Sequence, residues 1–358
     1  MRLAFYAPMK SPDHPVPSGD RNIARALMAA LTHMGADLTL ASRLRCRDGR
    51  GDVAQQRILV EEAQAEISRL ITLGQTEKWR AWVTYHNYYK APDLIGPLVA
   101  KNLGIPYCQV ESTRAKKRLV GGWSDFAERA EAATDAAAAV FYFTTRDAQS
   151  LQRDAPAGQH LIHLRPFLNM ATLPPASDLN GPMLSVGMMR PGDKTASYQI
   201  IADTLALMPQ QSWQLNIAGD GPAQQDVTRM MSPFGAQVKQ LGRLDQKALQ
   251  DIYAKASLMF WPGVNEAFGM VFLEAQAAGV PIVAQDRPGM NEVLAPGAYP
   301  KPEDGPEALI KSLRSLLDNP EHHRRQSLIA REFIAKNHLL PNAAQTLASG
   351  LAEVGVKL

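Results

Sequence analysis

Residues Trp261 to Ala284, WPGVNEAFGMVFLEAQAAGVPIVA, hold one full cycle of an alternating pattern. A β-rich run, Leu258 to Trp261, is broken by Pro262 and Gly263. A helix then opens near Phe268 and Gly269 and closes at Gly279, and Pro281 starts a second β-rich run that reaches Ala284. Glycine just past the last helical position accepts the left-handed conformation, and proline beyond it cannot continue the helix, so the two together form a stop signal. A strand, a helix and a strand in that order make a βαβ unit with parallel strands.

The alternation extends in both directions. Toward the N-terminus the β-rich runs are Met183 to Val186, Trp213 to Ala218 and Gln237 to Leu241, which complete one series with the two above. A second series occupies the first half: Leu3 to Ala7, Asp37 to Ala41, Ala81 to Tyr85, Pro106 to Val110, Val140 to Thr144 and Leu161 to Leu164. Between its first two strands, Ile23, Ala26, Leu27, Ala30, Leu31 and Met34 recur at helical spacing. Pro166 to Pro182 has no periodic pattern and holds Pro166, Pro174, Pro175, Gly181 and Pro182, a linker composition. Helical patterns at Glu307 to Leu317 and Pro320 to Asn337 and a tail helix from Ala343 follow the last strand. The expectation is an α/β chain of two doubly wound, Rossmann-like domains facing across a cleft, 1–168 and 169–339, with the helix at about 340–358 joining the first. In such sheets ligands bind beyond the carboxyl ends of the strands.

Length and composition agree with this reading. A chain of 358 residues exceeds what one core serves, about 250 to 300 residues. Its 46% hydrophobic and 20% charged residues are ordinary for globular domains. Cys46 and Cys108 have no metal-ligand or disulfide spacing, and no run reaches the ~18 apolar residues of a spanning helix. Met1 to Met9 enters a strand directly, without the pattern of a signal peptide, so a cytoplasmic location with at most peripheral contact on the inner membrane face is expected. The net charge of +3 is unevenly divided, +5 through residue 170 and −2 beyond it. Arg43, Arg45, Arg47 and Arg50 form one basic cluster; Arg114, Lys116, Lys117 and Arg118, ahead of Leu119, Val120 and Trp123, form another. Such clusters are ordinarily solvated faces, and the alternative is a patch for anionic lipid or an acidic acceptor.

The chemistry begins at the helix start. The unpaired amides of Gly269, Met270 and Val271, with the helix dipole behind them, suit a sugar phosphate or a sugar hydroxyl. Glu266 precedes the helix and Glu274 lies inside it with its Cβ directed back toward the start, so both carboxylates can reach one ligand. Carboxylates accept paired hydrogen bonds from vicinal hydroxyls, as on a ribose or a hexose.

Glu266 and Glu274, separated by seven residues within NEAFGMVFLEAQAAGVPIVA, resemble the hallmark of glycosyltransferase family 4, retaining enzymes of the GT-B fold. LSVGMMRPGDK (184–194), LNIAGDGP (215–222), QLGRLDQKALQDIYAKASLMFWPG (240–263) and GMNEVL (289–294) follow the family's order across the second domain. The resemblance implies a metal-independent hexosyltransferase that needs no cofactor and takes a nucleotide-diphosphate sugar as donor. Arg190 and Lys194 would clamp the diphosphate as catalytic cations, although Lys194 stands one residue closer to the arginine than in the family and Thr195 replaces a glycine. Gly219, Gly221 and Leu244 would lie near the base or the phosphates. Glu274 would hold the ribose, and Glu266 with Phe268, Gly269, Met270 and Val271 would hold the transferred sugar.

The first domain resembles the family less specifically. PVPSGDRNIARALMAAL (15–31) resembles the glycine loop that touches the donor phosphates, with Gly19 contributing backbone and Asp20 in place of a second glycine. Asp20 reads as a helix cap. In GIPYCQVESTRAKKR (104–118), Glu111 stands where many members have a histidine near the reaction centre. Either Glu111 binds the acceptor or takes its proton, or that role has moved, for instance to His86. Arg114 and Lys117 are further acceptor-side candidates. The acceptor is a lipid or a glycan, and neither nucleic acid nor a metal is expected as a partner. Three other readings stay open: a sugar-nucleotide epimerase, an inverting transferase, and a non-catalytic nucleotide-sugar-binding partner subunit. A plain dinucleotide dehydrogenase is disfavoured because no GxGxxG follows the first strand.

Overall fold

The computed structural model describes residues 1–16, 18–209 and 213–357. Pro17, within the loop quoted above, and Leu358, at the end of the tail, lie outside the described residues. The chain divides into two compact units, Met1–Arg165 with Leu340–Leu358, and Pro166–Leu339.

In the first unit, six strands, β1 (Arg2–Tyr6), β2 (Asp37–Leu40), β3 (Trp82–Asn87), β4 (Tyr107–Ser112), β5 (Ala139–Tyr142) and β6 (His160–His163), form one parallel sheet in the order β2-β1-β3-β4-β5-β6. Its helices are α1 (Gly19–His33), α2 (Val53–Glu77), α3 (Gly96–Leu103), α4 (Ser124–Asp135) and α5 (Thr145–Asp154). In the second unit, β7 (Met183–Val186), β8 (Leu215–Ala218), β9 (Val238–Gly242), β10 (Met259–Phe260) and β11 (Ile282–Val283) are parallel in the order β11-β10-β7-β8-β9. Helices α6 (Asp193–Ala206), α7 (Gln224–Met231), α8 (Gln246–Tyr253), α9 (Met270–Ala277), α10 (Gly305–Leu317) and α11 (Pro320–Asn337) accompany them. The last helix, α12 (Leu340–Glu353), packs on α1, β5 and β6. Among the described residues, no helix is long and apolar enough to cross a membrane.

Local chemistry sets the element ends. Asp52 accepts the amides of Ala54 and Gln55 to start α2, and Thr144 accepts that of Asp147 to start α5. Strands β10 and β11 pair over only two residues each, shorter than their apolar runs, although Met259 N still donates to Pro281 O and Gln285 N to Pro262 O at their ends. Strands β3 and β4 run two residues further than expected. There Asn87 donates to Ala130 O, Thr134 Oγ1 and Ser112 Oγ, which ties the extension to α4. The stretch expected to be a linker is held along the second unit by Leu168 N to His338 O, Ser177 N to Ala278 O and Gly181 N to Lys255 O.

Each sheet has one point where the strand order reverses: between β1 and β3 in the first unit, and between β7 and β10 in the second. Loops leaving neighbouring strands there turn to opposite faces and open a crevice at the carboxyl edge.

Candidate functional site

At the reversal in the second unit, the loop after β7 meets the loop after β10. Lys194, in the first turn of α6, pairs with Glu266 Oε1, and the Trp261 indole donates to the same oxygen at 2.9 Å. Lys194 Nζ also stands 5.4 Å from the Trp261 ring centroid. The indole is itself fixed: it meets Tyr198 edge to face at 5.1 Å, and Tyr198 donates to Gly187 O at 2.8 Å. Asn265 donates to Asp193 and the Val264 amide to Ser197 Oγ, so the two loops are joined by side chains on both sides of the ion pair. Asn265 takes a left-handed φ of 51°, a conformation that asparagine tolerates better than most residues.

Gly269 caps α9 with φ 61°, leaving the amides at the helix start without a side-chain cap. Glu274 lies one turn inside, and Tyr253 donates to it at 3.2 Å. Burial pushes the Glu274 carboxyl up to about 7, against the hydrogen bond from Tyr253. The glycines of the β8 loop have a direct steric cause. At Gly219 (φ 144°) an added Cβ would run into Gly187 O, and at Gly221 (φ 149°) into Met189 O. Gly219 and Gly221 therefore let the β8 loop lie against the β7 loop, where Met189 N donates to Asp220 O and Ala223 N to Met189 O. Of the other residues expected here, Arg190 is exposed, Leu244 is half-buried in the turn before α8, Phe268 is buried, and Met270 and Val271 are half-buried at the start of α9.

The reversal in the first unit is bridged in the same way. His86, near the end of β3, shares a 2.9 Å hydrogen bond through Nδ1 with Asp20 in the first turn of α1. The α1 cap is Ser18, whose hydroxyl accepts the Arg21 amide, so the reading of Asp20 as the cap is corrected: its carboxylate is turned onto His86. Gly19, the first residue of α1, is exposed. Glu111 occupies the matching place on β4. Tyr85 pairs with Val110 and Asn87 with Ser112, while His86 (φ 66°) and Glu111 (φ 58°) both leave the ladder in left-handed conformations. Two neighbouring non-glycine residues in that region cost about 1 kcal/mol or more each, the kind of strain that collects at functional sites.

Charge couples this group. Burial pulls His86 down, but the Glu111 charge, the hydrogen bond and charge of Asp20 and the charge of Asp147 outweigh it and raise the imidazole above its usual range. Burial lifts Glu111 above the ordinary carboxylate range against the pull of His86. Asp20 is lowered by its bond to His86. Glu111 Oε2 and the Tyr85 hydroxyl are both buried and close enough to bias each other, yet neither completes a hydrogen bond of full geometry.

The second basic cluster is not a uniform cationic face. Arg114 has 2% of its side chain exposed and is bound by Glu131 and Asp135 at 2.7 and 2.6 Å, which removes it from the acceptor-side candidates. Lys116 pairs with Asp154. Lys117 is exposed, and Arg118 lies over aromatic rings. In the first cluster Arg43 pairs with Asp13. Sequence reasoning missed Trp261 as a positioning group and the Asp20–His86 bond. The signal for Trp261 was its place at the end of a strand beside the reversal, whereas no local signal marks two residues 66 positions apart as partners.

Residues 184–333, within the second unit, match the family model for glycosyl transferases group 1. The chain is similar to the alpha-D-kanosaminyltransferase of Streptomyces kanamyceticus, at 25% identity over 76% of this chain and 74% of that protein. It is similar over a shorter stretch to a GDP-mannose-dependent alpha-(1-6)-phosphatidylinositol dimannoside mannosyltransferase of Mycobacterium tuberculosis. That match has 30% identity and covers 32% of this chain and 29% of the other. Among solved structures, sucrose-phosphate synthase from Thermosynechococcus elongatus shares the fold with a TM-score of 0.68 at 16% identity, covering 99% of each chain. The two parallel-sheet, Rossmann-like units thus have the GT-B fold that these solved structures share.

Proposed function

We propose that the protein is a retaining, metal-independent glycosyltransferase of family 4 that moves a hexose from a nucleotide-diphosphate sugar to a hydroxyl of a glycan or a lipid-linked acceptor. The convergence of Lys194, Glu266, Trp261 and the starts of α6 and α9 at one strand reversal carries the reading. The domain match and the transferase names of the relatives support it.

Arg190 and Lys194 bind the diphosphate, and the amides at the start of α9 add donors aimed at the same charge. Donor binding then exchanges partners: the phosphate takes Lys194 from Glu266, and the freed carboxylate accepts hydroxyls of the transferred sugar. Glu274 holds the ribose. As the diphosphate departs, positive charge develops on the sugar ring and negative charge on the leaving oxygen, and the fixed cations and amides stabilise the latter most. The acceptor hydroxyl attacks from the face the diphosphate leaves, which retains configuration. On the acceptor side, this reading has Glu111, coupled by charge to His86, orient the hydroxyl that attacks.

Thermal stabilisation by UDP, GDP and ADP sugars is the direct test, since a ligand at about 100 times its dissociation constant adds about 2.7 kcal/mol. Glu274→Ala should mainly weaken donor binding and Arg190→Ala mainly slow transfer. Wild-type donor hydrolysis in both variants would remove these roles. The anomer of the product, read by NMR, decides between retention and inversion, and release of an epimerised nucleotide sugar would replace transfer altogether. Donor binding without turnover on any acceptor would make the chain a non-catalytic subunit.

A further inference from the structure

Beside the His86 group, the carboxyl edge of the first sheet carries side chains that donor chemistry does not use. The rings of His86, Tyr88, Tyr89 and Trp123 follow one another with centroids 4.7, 5.6 and 5.6 Å apart, leading outward from His86. At the outer end Tyr89 and Trp123 meet edge to face at 89°. Two cations stand over both rings: Lys90 Nζ at 5.6 and 5.4 Å, and the Arg118 guanidinium at 5.2 and 5.3 Å. The neighbouring Arg114 and Lys116 have carboxylate partners, but among the described residues no ion pair engages Lys90 or Arg118. Arg118 Nε and Trp123 Nε1 are buried donors without an acceptor.

The acids Asp48 and Asp52 on the adjoining loop are already committed. Asp48 accepts the Arg50 and Asp52 amides and Gln56 Nε2, and Asp52 caps α2. That loop packs against the indole, since a Cβ on Gly51 would come within 3.3 Å of the Trp123 ring. It also bounds an open depression of about 430 Å³ lined by Arg47 and Arg50 together with Asp48 and Asp52. Cations over a ring pair gain from the ring quadrupole, but two half-buried like charges over the same rings repel. An anion relieves that repulsion and satisfies the donors. The rings offer a pyranose one aromatic face and the edge of a second ring, each with a polar tip.

We infer that Tyr89, Trp123, Lys90 and Arg118 form an acceptor subsite for a sugar residue bearing a carboxylate or a phosphate. The sugar lies against the rings and its anion meets Lys90 and Arg118, beside the depression that Arg47 and Arg50 share with Asp48 and Asp52. This rests on the transferase reading and narrows its acceptor to an anionic glycan, ordered outward from His86.

The test is titration of the full-length chain with methyl glucuronide, glucose 6-phosphate and neutral methyl glucoside, by saturation-transfer NMR and calorimetry. Both charged sugars should bind at least about tenfold more tightly than the neutral one, and the preference should shrink with added salt, as exposed charge pairs are screened. Lys90→Gln with Arg118→Gln should abolish the preference while leaving stabilisation by the nucleotide sugar unchanged; Arg118→Lys, which keeps the charge, should retain most of it. Preference for one charged sugar alone would assign the anion as carboxylate or phosphate. Equal affinities in the wild type, or a preference that survives the double substitution, would overturn the subsite. So would capture by anionic phosphatidylserine vesicles with no affinity for either charged sugar, which would make the patch a lipid surface. Absence of donor stabilisation would sink the transferase reading separately, because the sugar titrations do not depend on it.

Discussion

At the scale of single residues, two kinds of constraint meet at the loops beside the strand reversal of the second unit. Gly219 has no room for a side chain and a φ that side chains avoid, so Gly219→Ala should destabilise the second unit by about 3 kcal/mol or more, read as a lower melting temperature. Glu274 is constrained by charge instead. Its folded pKa, raised to about 7 from 4.5, means that the folded chain holds a proton the unfolded chain releases. Its contribution to stability is therefore full below about pH 4.5 and is lost as pH rises through about 7, a change of roughly 2 to 3 kcal/mol. Glu274→Gln should remove that slope and be more stable than the wild type at pH 8 while binding donor more weakly, checked by melting and donor titration across pH 5 to 8. The two glutamates and the glycines were legible in the sequence because each belongs to a compact local pattern. The left-handed backbone of His86 and Glu111 was not, since nothing in a histidine or a glutamate announces positive φ.

At the scale of elements, the start of α1 separates two functions the sequence had merged. Ser18 caps the helix and Asp20 holds His86, so the two can be altered independently. Ser18→Ala should cost about 1 kcal/mol of stability and leave His86 titrating as before. Asp20→Asn should leave the cap intact and lower the His86 pKa, visible in the pH dependence of its imidazole resonances. His86, raised in the fold, adds stability that is full below its unfolded pKa and is lost as pH rises through the folded one, so Asp20→Asn should also flatten that loss. A cap is decided within four residues, and Asp20 lies where either residue could have served; the choice was made by β3 placing His86 within reach.

At the scale of the whole molecule, the chain leaves its first unit at Arg165 and returns to it at Leu340. Helix α12 buries Leu347 and Leu351, and Gly350 sits where a Cβ would meet Phe141 and Ile162 at 2.5 Å. Ending the chain at residue 339 should therefore expose the α1, β5 and β6 surface. Hydrogen exchange should show lost protection in those elements while β7 to β9 stay protected. The basic clusters are likewise a tertiary matter: Arg114 and Arg118, four residues apart, end respectively in a two-carboxylate cage and over two rings without a carboxylate.

The order of strands and helices, the parallel sheets and the open start of α9 could be read from the chain alone, because alternation, stop signals and a helix start depend on neighbours in sequence. Folding alone decided which side chains became partners: Lys194 with Glu266, Asp20 with His86, Lys90 and Arg118 over one pair of rings. Those choices rest on which loops a strand-order reversal brings side by side, and on which charges burial leaves without water, quantities that no local stretch of sequence contains.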